Sequence, residues 1–209
     1  MIKPENLARN NVILLVCVLI LILFYPLFRT DRLLVRDLLL SAVFFAGIFS
    51  LEFSARSRMF LLPLAIMTVV TTWIHHFIAS DLLYLIDFGT SSVTLAVIVV
   101  LMIRHIARSR IVTPTIILSS VNGYLLLGVL GAVLLSIADS VHIVLNGPGS
   151  AGILIPSQGS PEFSDYLYLA FITLTTVGFG DVTAVSHLTR SVTILIGLAG
   201  QLYMTILIA

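Results

Sequence analysis

The residues whose types and spacing could do chemistry lie together in Thr175-Thr176-Val177-Gly178-Phe179-Gly180-Asp181. The chemistry is coordination of a cation by main-chain oxygen. Gly178 and Gly180 alternate with Val177 and Phe179, and glycine adopts backbone dihedrals that a residue with a Cβ resists, so successive carbonyls can turn toward one line. Carbonyl oxygens are fixed partial charges that can together replace the hydration shell of an ion, and the Thr176 hydroxyl can add one more oxygen at the inner end.

Other reactive side chains are scattered. His75 and His76 are adjacent, so on a helix they point about 100° apart and make a poor chelate. His142 and His187 lie on either side of the Thr175–Asp181 stretch, where they could make its behaviour sensitive to pH. Asp87 lies in an apolar run and needs a partner or an interfacial position, with a first-loop arginine as one candidate partner. Cys17 has no second cysteine to pair with and reads as a packing residue. No cluster of titratable groups suggests catalysis, so an enzyme is not expected.

The elements that must position the Thr175–Asp181 stretch are membrane helices. The chain is 59% hydrophobic and 10% charged, with a mean hydropathy of +1.14. That leaves too little polar surface to cover a soluble globule and predicts an integral membrane protein surrounded by lipid. A net charge of +1 argues against nucleic acid as a partner. Apolar runs predict crossings at residues 12–28, 38–51 (beginning as early as Leu33), 59–78 and 82–103. Pro63 falls in the first turn of the third of these, and Arg29, Asp31, Arg32, Arg36 and Asp37 form a charged first loop. The first run is read as a retained helix because it is long for a signal-sequence core and ends in Tyr25-Pro26 and charge.

Pro114, with Thr113 as cap, starts a fifth helix running to about Val141. Residues 142–161 read as a solvent-facing loop rich in Gly, Ser and Pro, although Gly152-Ile153-Leu154-Ile155 within it is apolar, a stretch suited to packing on the helix that follows or on a neighbouring subunit. A short helix then starts between Ser160 and Ser164 and ends near Thr175. It is about half as long as a crossing needs, so it must enter the membrane and turn back. Non-helical backbone at that depth survives only where protein or a watery cavity surrounds it. Residues 191–209 form the sixth crossing.

With the N-terminus cytoplasmic, the inner segments hold Lys3, Arg9, Arg56, Arg58, Arg104, Arg108 and Arg110, and the outer ones Arg29, Arg32, Arg36 and Arg190. The bias supports an N-terminus inside, in a multi-pass protein of the cell membrane, and the first loop dissents with three arginines.

The motif resembles the selectivity-filter signature of potassium channels, T-V-G-[Tyr or Phe]-G-D, in a subunit of six-helix type with a single pore loop, similar to bacterial and two-pore-domain potassium channels. The similarity covers residues 114–209. It implies that main-chain oxygens of Thr176, Val177, Gly178 and Phe179 line K+ sites, with Gly180 as the last filter glycine and Thr175 and Asp181 supporting the filter. The aromatic that holds this carboxylate in relatives corresponds to Tyr168, so a hydrogen bond from Tyr168 to Asp181 is expected. Phe179 replaces the tyrosine of many members and loses a hydroxyl behind the filter. Gly200 stands near the family's inner-helix hinge and Gly197 three residues before it, while the polar Gln201 should face a cavity or another helix.

The sequence holds one filter stretch, so a closed pore needs several subunits, and the resemblance implies a homotetramer. The expected fold is therefore all-α: six transmembrane helices plus a re-entrant pore helix and filter. A four-helix peripheral domain would span 1–111 and a pore domain 112–209. No cofactor is implied beyond permeant K+. The family's arginine stripe is missing from the fourth span; Arg104, Arg108 and Arg110 come at its end, spaced for interfacial anchoring, which predicts weak voltage dependence. Because Ala209 falls within an apolar run, a longer polypeptide with a C-terminal cytoplasmic regulatory domain is also expected. The readings set against a K+ channel are an ion-coupled transporter, a non-conducting channel-associated subunit, and a sodium or unselective channel. The chain lacks the repeated halves with broken helices that transporters typically show, and relatives of the last kind usually change the residue held here by Phe179.

Overall fold

The computed structural model describes residues 4–27, 32–50, 55–77, 81–109, 111, 113–147, 149–156 and 160–207. Seven α-helices make up nearly all of it: α1 (Pro4–Leu23, followed by a 3-10 turn at Tyr25–Leu27), α2 (Arg32–Phe49), α3 (Ala55–Phe77), α4 (Asp81–Arg108), α5 (Pro114–Asn146), α6 (Phe163–Leu174) and α7 (His187–Leu207). Two short strands, β1 (Ile153–Leu154) and β2 (Thr183–Ala184), pair antiparallel, an addition to the all-α expectation. Among the described residues three helical stretches are long and apolar enough to cross a membrane: Asn6–Leu27, Ile86–Arg108 and Pro114–Asn146.

The chain divides into two compact units, Met1–Leu126 and Leu127–Ala209. In the first unit α1 packs on α2, α2 on α3, and α3 on α4. Leu14, Val18, Leu21, Phe44, Ile48, Leu95, Ile98 and Met102 form its apolar centre. Polar side chains fasten the helices across it. Asn11 Nδ2 donates to the Ser50 carbonyl at 2.9 Å, and Asn122 Nδ2 on α5 donates to the Asn11 carbonyl at 2.9 Å. Thr68 and Thr94 share a hydroxyl hydrogen bond at 2.6 Å between α3 and α4. Such bonds between helices are favoured where no water competes for the groups.

Several boundaries differ from the sequence reading for physical reasons. α1 starts well before Val12, because Asn11 is satisfied inside the bundle and need not stay in water. Arg36 and Asp37 belong to α2 and not to a solvated loop; both are buried, Arg36 Nε donates to Asp37 Oδ1 at 2.8 Å, and the guanidinium lies 5.2 Å from the centre of the Phe88 ring. Pairing and the aromatic face offset the loss of water. α3 starts at Ala55, so Pro63 sits in its third turn, where it removes a helical hydrogen bond. Asp87 is buried, with the Thr72 hydroxyl donating to it at 2.5 Å, so interfacial solvation is not what accommodates it. The side chains of His75 and His76, and all of Arg29, lie outside the described residues.

Candidate pore loop

In the second unit a helix too short to cross leads into the glycine motif. α6 has 12 residues, roughly 18 Å at ~1.5 Å each. Its start is set by Glu162 in extended conformation, whose N–H donates to the Asp165 carboxylate at 2.8 Å. Thr175 is still helical, its N–H and hydroxyl both donating to the Phe171 carbonyl at 3.0 and 2.7 Å, and the helix stops at Thr176, whose φ of 61° leaves the helical region. Tight packing on α5 and α7 holds the helix in place. A Cβ on Gly128 of α5 would fall 2.5 Å from the Phe171 ring, so a larger residue there would force the ring to move.

Past the helix the backbone alternates. Thr176 has φ 61°, Gly178 φ 54° and Gly180 φ 79°, whereas Val177 and Phe179 have negative φ. Reversal at every second residue keeps successive peptide planes facing the same way, which a uniform strand or helix cannot do. For a β-branched residue such as Thr176 the left-handed region is strained, and strain of this kind clusters at functional sites. The stretch is anchored to α6 by the Thr176 N–H on the Thr173 carbonyl and the Gly178 N–H on the Ile172 carbonyl, both 3.0 Å. Val177 and Phe179 side chains are exposed. A groove of about 390 Å³ lies between α6, this stretch and α7, lined among others by Ile172, Thr173, Val182 and Thr193.

Asp181 follows the last glycine. The Tyr168 hydroxyl donates to both of its carboxylate oxygens, at 3.0 and 2.8 Å, and this bond, foremost, holds the Asp181 carboxyl below the ordinary carboxylate range. Gly200 on α7 is buried against the end of α6: a Cβ there would come within 2.6 Å of the Leu174 carbonyl oxygen, while one on Gly197 would meet nothing closer than the Thr173 methyl at 3.7 Å. Gln201 is exposed on the subunit surface. Thr113 caps α5 by accepting the Ile116 N–H at 3.3 Å. Arg104 and Arg108 are exposed on α4. The His142 ring and carbonyl bond locally to the Asn146 amide at 3.0 and 2.9 Å. Among the described residues no group of three His, Cys, Asp or Glu could hold a metal.

The apolar stretch 152–155, puzzling in the sequence, has a clear role here. Ile153 pairs with Ala184 and Leu154 with Thr183. The Gly152 carbonyl accepts the Val185 N–H at 2.8 Å, the Ser186 N–H at 3.1 Å and the Thr189 hydroxyl at 2.6 Å. Its N–H goes to the buried Asp139 of α5, whose other oxygen accepts the Tyr166 hydroxyl. Neither Asp139 nor Tyr166 stood out in the sequence. The only available signal was a carboxylate deep in an apolar helix, which requires a partner.

A half-length helix, a turn and a stretch of alternating dihedrals thus follow one another between α5 and α7. Residues 124–209, from within α5 to the end of the chain, match a family model described as Ion channel. The match supports an ion-channel pore domain in this part of the chain and, with the three long apolar helices, a membrane protein. No curated protein and no solved structure matches the chain.

Proposed function

We propose that the protein is the subunit of a potassium-selective channel that conducts K+ passively, four copies meeting on an axis so that Thr176, Val177, Gly178, Phe179 and Gly180 form the filter. The observation that carries this reading is the alternation of φ at Thr176, Gly178 and Gly180 directly after α6. A row of carbonyls on one chain gives one wall of a cation site. Four walls complete the coordination shell that a bare K+ needs. The carbonyl ends of four α6 helices then favour a cation below the filter. In this assembly the exposed Val177 and Phe179 side chains and the groove beside α7 meet neighbouring subunits, and Gly200 and Gly197 lie on the inner helix where gating would act.

Six crossings with the N-terminus in the cytoplasm remain our reading of the topology. Burial of Arg36 beside Asp37 supports it, for one of the outer arginines that spoke against it is no longer a loop charge. An ion-coupled transporter is disfavoured because the described residues hold one re-entrant stretch and no second copy of it. Reconstitution into vesicles with opposing K+ and Na+ gradients tests the proposal. Flux of K+ well above Na+ is expected; equal flux of both ions, or none, overturns it.

A further inference from the structure

We propose that Asp139 is a positioning residue for the filter, acting from behind α6 as Asp181 acts beside the glycine stretch. The inference rests on the channel reading above and deepens it. Asp139 is fully buried in α5, about two turns from its end at Asn146. One carboxylate oxygen takes the Gly152 N–H and the other takes the Tyr166 hydroxyl. The two partners lead to opposite ends of the pore loop. Tyr166 is on the helix that delivers the chain to the filter. Gly152 is bonded through its carbonyl to Val185, Ser186 and Thr189, on the segment that carries the chain away from the filter into α7.

The site is built for this contact. A Cβ on Gly152 would lie 2.8 Å from Asp139 Oδ1, 2.8 Å from Ser186 Oγ and 3.0 Å from Thr189 Cγ2, so a larger residue there would push these side chains out of their contacts. Tyr166 and Tyr168 are two apart on α6 and so point about 200° from each other around the helix. The helix is thereby gripped on one side by Asp139 and on the other by Asp181, the first buried and the second open to solvent. A carboxylate accepting two buried donors makes strong, directional bonds, and losing one leaves a buried polar group unsatisfied. Asp139 therefore sets the spacing between the helix entering the filter and the segment leaving it through β2, and that spacing keeps the filter in its conducting form.

The test uses the full chain in vesicles. Tyr166→Phe removes one hydroxyl and leaves the Gly152 bond. Initial K+ flux and the K+ to Na+ ratio should match the parent, while conduction during sustained activity should decay about fivefold faster. Asp139→Leu should act in the same direction and more strongly. Asp139→Asn should fall near the parent, because its amide oxygen can accept the Gly152 N–H and its amide N–H can donate to the Tyr166 oxygen. Decay at the parent's rate in Tyr166→Phe overturns the inference, and that variant decides alone if Asp139→Leu does not assemble. If the parent passes no K+, the channel reading fails; hydrogen exchange at the Gly152, Val185 and Ser186 amides, which needs no flux, then decides the positioning role. Faster exchange in Tyr166→Phe upholds it and unchanged exchange refutes it.

Discussion

Gly200 of α7 rests against the last carbonyl of α6, so close that a methyl group there would sit 2.6 Å from the Leu174 oxygen. A residue expected from the sequence to bend the helix therefore also has a packing reason to be glycine. The two roles separate by experiment. Gly200→Ala should destabilise the protein by about 1–3 kcal/mol, as overpacking does, whereas Gly197→Ala, with room for the methyl inside a helix, should be neutral or stabilising by up to about 1 kcal/mol. Thermal unfolding of both variants in detergent checks this, and equal losses would contradict the packing account. Open probability altered at unchanged stability would instead favour the hinge.

Gly178 has φ 54°, and nothing in the subunit lies within 4 Å of a Cβ placed there. The expected penalty of Gly178→Ala is thus conformational and not steric within one chain, about 1–2 kcal/mol for forcing an L residue into the left-handed region. Relaxation to negative φ would rotate the neighbouring carbonyls away from the line. Loss of K+ over Na+ discrimination is the expected result, measured as a flux ratio. A variant that kept full discrimination would show that the positive φ is dispensable.

Loss of the hydroxyl in Tyr168→Phe should speed the decay of conduction during sustained activity while leaving initial flux intact. An unchanged decay would remove Tyr168 from any part in supporting the filter.

The same pair predicts a response to acid on the outer face. Because the Tyr168 bond lowers the Asp181 pKa in the folded protein, the stabilisation it provides is in place above the ordinary carboxylate range and disappears as pH falls through the lowered value. Faster decay should therefore set in only in distinctly acidic solution. In Tyr168→Phe the midpoint should move to higher pH, toward the value of an ordinary carboxylate. A midpoint that stays put would assign the acid response to another group.

Arg104 and Arg108 are exposed on α4, four positions apart. Replacing both with Gln should leave the voltage dependence of K+ current as weak as in the parent. Steep charge movement in the parent, abolished by the replacement, would instead make them gating charges.

The local requirements of the pore loop were legible in the chain. Glycine is the residue that takes positive φ without penalty, so Gly178 and Gly180 announce their dihedrals directly; Thr176, which takes one at a cost, does not. The helix start at Pro114 was marked by its own side chains, and a 12-residue apolar helix cannot cross a bilayer whatever surrounds it. The Tyr168 to Asp181 bond could be anticipated because a known motif supplied the partner.

Long-range partners were decided by tertiary structure alone. Asp139 and Tyr166 are 27 positions apart, and nothing in either segment says that the carboxylate faces the phenol; that depends on the rotation of α5 against α6, which the Gly128 to Phe171 packing sets. The apolar Ile153-Leu154 found its role only when the chain leaving the filter came alongside to pair with it. Arg36 looked like a loop charge because composition cannot register that Asp37 and Phe88 would receive it inside a bundle. Conformational preference belongs to single residues and is written in their order; burial and pairing belong to surfaces that exist only after the helices have met.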